Sequence, residues 1–97
     1  MLENEFQAKL IRELKRRFPG CLVMKNDGSN APQGIPDLLI LYKDRWAMLE
    51  CKKSEHAERQ PNQDYYIEKT NAMSFSSYIY PENKEAVLDA IQRSFES

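Results

Sequence analysis

Two apolar segments joined by a very short connection constrain the fold of this chain more than any other feature. Residues 36–43 (PDLLILYK) and 46–53 (WAMLECKK) both have the composition of buried strands. Only a tight turn at Lys43–Arg45 separates them. So short a connection cannot make the crossover that parallel strands need. The two segments therefore predict an antiparallel hairpin.

The rest of the chain predicts three helices and two further strands. The first helix follows from apolar residues at four-residue spacing between Leu2 and Phe18, and Pro19-Gly20 ends it. The predicted elements are a helix at 3–17, strands at 21–25, 36–43 and 46–53, a helix from 61 to about 73, a strand at 75–80 and a helix from about 82 to 95. The order α-β-β-β-α-β-α predicts an α/β (α+β) fold with a mixed four-stranded sheet flanked by helices, in one domain that spans residues 1–97.

The hairpin brings two acidic residues together. If the turn is centred between Lys43 and Asp44, Asp37 lies directly opposite Glu50. A different turn type would shift this register by a residue or two. Opposed carboxylates destabilise a sheet unless something offsets their repulsion. A divalent cation would do so, because Mg²⁺ prefers one or two carboxylates together with water and phosphate oxygens.

A lysine joins this acidic pair. Glu50 and Lys52 are two positions apart on one strand and share a face, whereas Cys51 points to the opposite side. A metal ion lowers the pKa of a bound water, and a lysine can orient or deprotonate that water or stabilise the transition state. These are the parts needed to hydrolyse a phosphodiester. The alternative is a solvated acid–lysine pair, but charge on apolar strands is costly without a purpose.

The same residues carry a family resemblance. Gly34-Ile35-Pro36-Asp37 followed by Glu50-Cys51-Lys52 resembles the PD-(D/E)XK nuclease motif, and the predicted element order is similar to the restriction-endonuclease-like core of that superfamily. The short GIPD segment, and Gln63 at the start of the next helix, resemble the VRR-NUC branch, which includes small stand-alone phage proteins. The resemblance covers the chain from residue 3 to about 91.

The resemblance implies a role for each residue of the motif. Asp37 and Glu50 would bind Mg²⁺ or Mn²⁺, with the backbone carbonyl of Cys51 as a further ligand. Lys52 would be the catalytic lysine. No CxxC or HxxxH spacing suggests a zinc site instead.

The family pattern also implies an acid on the first helix and a supporting glutamine. Glu3 is the preferred acid, as a catalytic residue and metal ligand, because it shares the helix face of Phe6; Glu5 is the alternative. Gln63 resembles the glutamine that supports the site in related nucleases. The Gln-to-Tyr spacing seen in some relatives is one residue short here, at Tyr66, which leaves the role of Tyr66 open.

The overall charge gives no signal for nucleic acid, but its distribution does. The chain has 14 Lys and Arg against 15 Asp and Glu. Residues 1–53 carry 10 bases and 7 acids, whereas residues 54–97 carry 4 bases and 8 acids. A net charge of −1 thus includes a basic N-terminal half. The candidate DNA contacts are Lys53, Arg59, Lys25, Asn26, Lys9 and Arg12, although a solvated surface is the commoner use of a basic helix face.

The resemblance implies a metal-dependent endonuclease that cuts branched DNA, such as a Holliday junction, as a homodimer. Two sites related by a two-fold axis suit a substrate with two strands to cut. The alternatives are a flap, single-strand or nicking nuclease, a non-catalytic DNA-binding module on the same fold, and a structural domain with a surface ion cluster. The sequence has neither a signal-peptide core nor a membrane-length apolar run, so we expect a cytoplasmic protein of a bacterial or phage-infected cell without membrane partners.

Overall fold

The computed structural model describes residues 1–97 and contains a four-stranded mixed sheet and three helices. The elements are α1 (Glu3–Arg17), β1 (Leu22–Lys25), β2 (Leu38–Tyr42), β3 (Arg45–Cys51), α2 (Pro61–Met73), β4 (Phe75–Ile79) and α3 (Lys84–Glu96). The predicted α+β class, element order and mixed sheet are confirmed. No helix has the length and apolar character to cross a membrane.

The sheet order is β1-β2-β3-β4. The first three strands are antiparallel to their neighbours, and β4 is parallel to β3 because α2 forms the crossover between them. Leu38 lies opposite Leu49 and Tyr42 opposite Arg45. This is the register predicted from a two-residue turn, in which Lys43 adopts a φ of 58°.

The hairpin strands are shorter than predicted at the end that carries the motif. The segments 36–43 and 46–53 were expected to be strands, but β2 begins after Asp37 and β3 ends before Lys52. The ladder stops there because the Asp37 side chain, rather than a backbone carbonyl, accepts the hydrogen bond of the Cys51 N–H. Asp37 and Lys52 therefore lie just beyond the ends of the strands.

The main core lies between one face of the sheet and the helices α1 and α3. Apolar side chains at helical spacing on α1, such as Leu10 and Leu14, are fully buried. They pack with sheet residues that include Leu38, Ile40 and Leu49. The helix α2 covers the other face at β3 and β4, where its side chains contact Glu50 and Tyr78.

Candidate active site

Asp37 is fixed from both sides at the start of β2. Its carboxylate oxygen Oδ2 accepts a hydrogen bond from the Cys51 N–H at 3.0 Å. Its backbone carbonyl accepts one from the Asn26 N–H at 2.7 Å. Pro36, directly before it, is fully buried. These contacts place the Asp37 carboxylate at the end of β3, as the hairpin register predicts.

Glu50 and Lys52 lie next to each other in a nearly dry environment. Their exposed fractions are 4% and 9%. The Lys52 Nζ lies 3.9 Å from the Glu50 Oε2, so the two head groups lie together on one face, as the strand alternation predicts. Cys51, between them, is wholly buried in the main core with a free thiol.

Gln63, in the first turn of α2, links these two side chains. Its Nε2 donates to the Glu50 Oε2 at 3.1 Å, and its Oε1 accepts from the Lys52 Nζ at 3.0 Å. The same Oε1 accepts from the Gln60 N–H at 3.1 Å, which satisfies a free backbone donor at the start of the helix. Gln63 therefore lies at the site, as the resemblance implies, and holds the head group of Lys52 in place.

The structure shows why the GIPD segment begins with a glycine, Gly34. It has a φ of 99°, and a Cβ atom at this position would lie 2.8 Å from the backbone of Asn62. Only glycine tolerates both the left-handed conformation and the close approach. The loop before Asp37 thus packs directly on the first turn of α2, next to Gln63.

The carboxyl groups of the half-buried Asp37 and the buried Glu50 hold their protons more tightly than usual. Burial, and then the charge of Asp37, raises the pKa of Glu50 to about 8 from 4.5, against the opposing effect of Lys52. Burial also raises the pKa of Asp37, and the hydrogen bond from the Cys51 N–H opposes the rise. The single ammonium group of Lys52 therefore does not compensate both carboxylates. A further cation at the pair would favour the ionised form of each.

The donor set fits a hard divalent cation. Two carboxylates and the backbone carbonyl of Cys51 provide only oxygen ligands, which Mg²⁺ and Mn²⁺ prefer. No group of three or more His, Cys, Asp or Glu side chains is arranged to hold a metal ion, so Glu3 does not complete a three-carboxylate cluster with Asp37 and Glu50. Water and phosphate oxygens would have to supply the other ligands.

Glu3 is nonetheless the first-helix acid whose charge influences Glu50. It is exposed in the first turn of α1, and its charge contributes to the raised pKa of Glu50. Glu5 is exposed and makes no such contribution. This charge effect favours Glu3 over Glu5, and the role of Glu3 as a ligand stays a prediction.

The candidate DNA contacts differ in how they are connected to this group. Lys53 is exposed directly after Lys52, and Lys25 is exposed directly before Asn26, whose backbone bonds Asp37. The guanidinium of Arg59 lies over the Tyr78 ring, with its central carbon 4.0 Å from the ring centroid. The remaining two candidates are Lys9 and Arg12. Both are exposed on α1, and neither makes a hydrogen bond or an ion pair to the site.

Three polar residues near the site were not among the sequence candidates. Gln7, one turn after Glu3 on α1, lies beside the Cys51 thiol and opposes the rise that burial causes in the pKa of this thiol. Tyr78 lies in register with Glu50 on the neighbouring strand, and its hydroxyl donates to the Asp64 Oδ1 at 2.5 Å. Burial, and then Asp64, raises the pKa of this hydroxyl. Their proximity to the site depends on the docking of α1 and on the parallel register of β3 and β4, which no local pattern indicates.

The chain has no match among family models, curated proteins or solved structures.

Proposed function

We propose that this chain is a metal-dependent DNA endonuclease with a restriction-endonuclease-like core. It hydrolyses phosphodiester bonds with Mg²⁺ or Mn²⁺ bound by Asp37, Glu50 and the Cys51 carbonyl. The observation that carries this proposal is the grouping of the half-buried Asp37 with the buried Glu50 and Lys52, in which Gln63 holds the last two. Burying the Glu50 carboxyl and the Lys52 ammonium is costly for stability alone, which supports a catalytic use.

The side chains divide the chemistry between them. When bound, the cation would lower the pKa of a water and stabilise the charge that develops on the phosphate. Asp37 and Glu50 fix the position of the cation because their own contacts are fixed. Lys52 keeps two ammonium hydrogens beyond the one that it donates to Gln63. They can orient the attacking water or hydrogen-bond a phosphate oxygen as its charge increases.

We further propose that the substrate is branched DNA, such as a Holliday junction, and that the active form is a homodimer. This part extends the resemblance of the GIPD and Gln63 segments to stand-alone phage nucleases. A domain of 97 residues offers little DNA-binding surface by itself. Two copies related by a two-fold axis would place one site on each of two strands.

A cleavage panel tests both parts. A four-way junction, a flap, a single strand and a linear duplex are incubated with the protein in Mg²⁺ and in EDTA. Lys52→Ala should abolish cleavage and retain the fold, because it removes the ammonium group and leaves the metal ligands. Lys69→Ala removes an exposed lysine of α2 and should cleave like the wild type.

Each outcome has a distinct meaning. Paired symmetric nicks in the junction, absent in EDTA and in Lys52→Ala, are the expected result. Cleavage of flaps, single strands or linear duplex instead would keep the nuclease and refute the junction preference. DNA binding without cleavage would favour the non-catalytic module, and normal cleavage by Lys52→Ala would refute the assigned site.

A further inference from the structure

An arginine–tyrosine–aspartate group adjoins the proposed active site and has no part in the chemistry described above. Tyr78 is 7% exposed and lies directly beside Glu50 in the parallel register of β3 and β4. Its side chain therefore points to the same face of the sheet as Glu50. Its hydroxyl donates to Asp64, the residue after Gln63 on α2. The Tyr78 ring is thus fixed with respect to Glu50 and to α2.

Arg59 uses this ring as a platform. Its guanidinium carbon lies 4.0 Å from the ring centroid, the distance of a stacked cation–π pair. Stacking occupies the flat face of a guanidinium and leaves its N–H groups, which lie in its plane, available. Arg59 is also next to Gln60, whose N–H is bonded to Gln63.

The N–H groups of Arg59 have no partner in the protein. Arg59 makes no hydrogen bond and no ion pair, whereas Arg17 bonds Asp89 and Gln92, and Arg45 bonds the carbonyl of Ser97. Three other arginines are equally unpaired, but Arg59 is the only arginine that lies over an aromatic ring. The Asp64 carboxylate, which would be a natural partner for Arg59, accepts from the Tyr78 hydroxyl instead. The arrangement orients an arginine and keeps its donors free.

We propose that Arg59, stacked on Tyr78, binds a backbone phosphate of the DNA strand next to the bond that is cut, with Tyr78 and Asp64 as positioning residues. A planar guanidinium matches two phosphate oxygens with two parallel hydrogen bonds. The pre-oriented side chain loses less conformational freedom on binding than a free arginine. This inference rests on the proposed function, which supplies DNA as the substrate. It adds how the DNA backbone is held beside the site.

DNA binding measured without cleavage tests the inference. The dissociation constant of a fluorescent four-way junction is determined in EDTA at several salt concentrations between about 50 and 200 mM. Arg59→Ala should bind about tenfold more weakly. It should also weaken the salt dependence. The slope of the logarithm of the association constant against the logarithm of the salt concentration should become less negative by about 0.9, the value for one lost phosphate contact. Arg93→Ala removes an exposed arginine near the end of α3 and should bind like the wild type.

Two further variants separate positioning from charge. Arg59→Lys keeps the charge but lacks the planar fork, so it should keep the salt slope and recover only part of the affinity. Tyr78→Phe keeps the ring and loses the bond to Asp64, so the affinity should fall a few-fold with an unchanged slope. The effect of Tyr78→Phe should disappear in the Arg59→Ala background, because the two residues act through one contact.

The results distinguish this inference from the proposed function. Equal binding by Arg59→Ala and the wild type, or an equal loss in Arg59→Ala and Arg93→Ala, would refute the phosphate contact even if the wild type cleaves DNA in Mg²⁺. A selective loss in Arg59→Ala would support the contact even if the wild type cleaves nothing. Failure of the wild type to bind DNA would refute the inference.

Discussion

Replacing Glu50 with glutamine should make the metal-free protein more stable. The Glu50 carboxyl is almost completely buried, and its burial and the neighbouring Asp37 raise its pKa to about 8 from 4.5. A raised pKa in the folded state means that the folded chain keeps a proton that the unfolded chain releases. The associated stability is fully present below pH 4.5 and is lost as the pH rises through this value towards 8.

The size of the effect follows from this interval. Each pH unit within it costs the folded state about 1.4 kcal/mol, the energy of one unit of pKa. At pH 7 the accumulated cost is about 3 kcal/mol, and at pH 5 it is about 1 kcal/mol. A glutamine has no proton to release at either pH and can still accept the hydrogen bond from Gln63. Glu50→Gln should therefore stabilise the fold by up to about 3 kcal/mol at pH 7 and by about 1 kcal/mol at pH 5.

Urea unfolding in EDTA at the two pH values measures this difference. In a domain of this size about 1 kcal/mol corresponds to roughly 4–8 °C in Tm, so thermal unfolding provides a second readout. Glu58→Gln is the control, because this glutamate is exposed in the loop before α2 and should change the stability little at either pH. A Glu50→Gln protein that is equally or less stable than the wild type at pH 7, or that gains the same amount at pH 5, would refute the electrostatic reasoning.

Two further predictions concern the metal and the loop before Asp37. Mg²⁺ at about a hundred times its dissociation constant should stabilise the wild type by about 2.7 kcal/mol and leave the Tm of Asp37→Asn unchanged, and an equal rise in both proteins would show that Asp37 is not a ligand. Gly34→Ala should destabilise the fold by about 1–3 kcal/mol and abolish cleavage, since its Cβ would push the Asn62 backbone and α2 away from the site. Gly28→Ala is the matched control, because Gly28 also has a positive φ but open space around it; equal losses in both variants would assign the effect to φ alone.

The hairpin was predictable because its connection is so short, and its register followed once a two-residue turn was assumed. A two-residue connection leaves one register, and that register places Asp37 beside the end of β3 and Glu50 and Lys52 on one face. The ends of the strands were not predictable in the same way. A side-chain acceptor on Asp37 replaces the ladder there, and alternation of apolar and polar residues carries no information about such a replacement.

The residues that surround Glu50 could be identified only from the tertiary structure. Tyr78 reaches Glu50 only because β4 returns parallel to β3 after a helical crossover, and the sequence does not specify the register across that crossover. The stacking of Arg59 depends in turn on the position of Tyr78. The sequence therefore identified Arg59 as one basic residue among six candidates, and the structure distinguishes it by its orientation.

Gln63 couples the docking of α2 to the geometry of the site. Its Oε1 satisfies the backbone at the start of α2 and also holds the Lys52 ammonium, while its Nε2 holds Glu50. A shift of the first turn of α2 would thus release both side chains of the buried pair. Gly34 prevents that shift by allowing its loop to contact Asn62 directly. The glycine of the GIPD segment and the glutamine of α2, though distant in sequence, therefore act on the same two side chains. The proposed catalysis would need Lys52 to be held to a fraction of an ångström, and both residues would contribute to this.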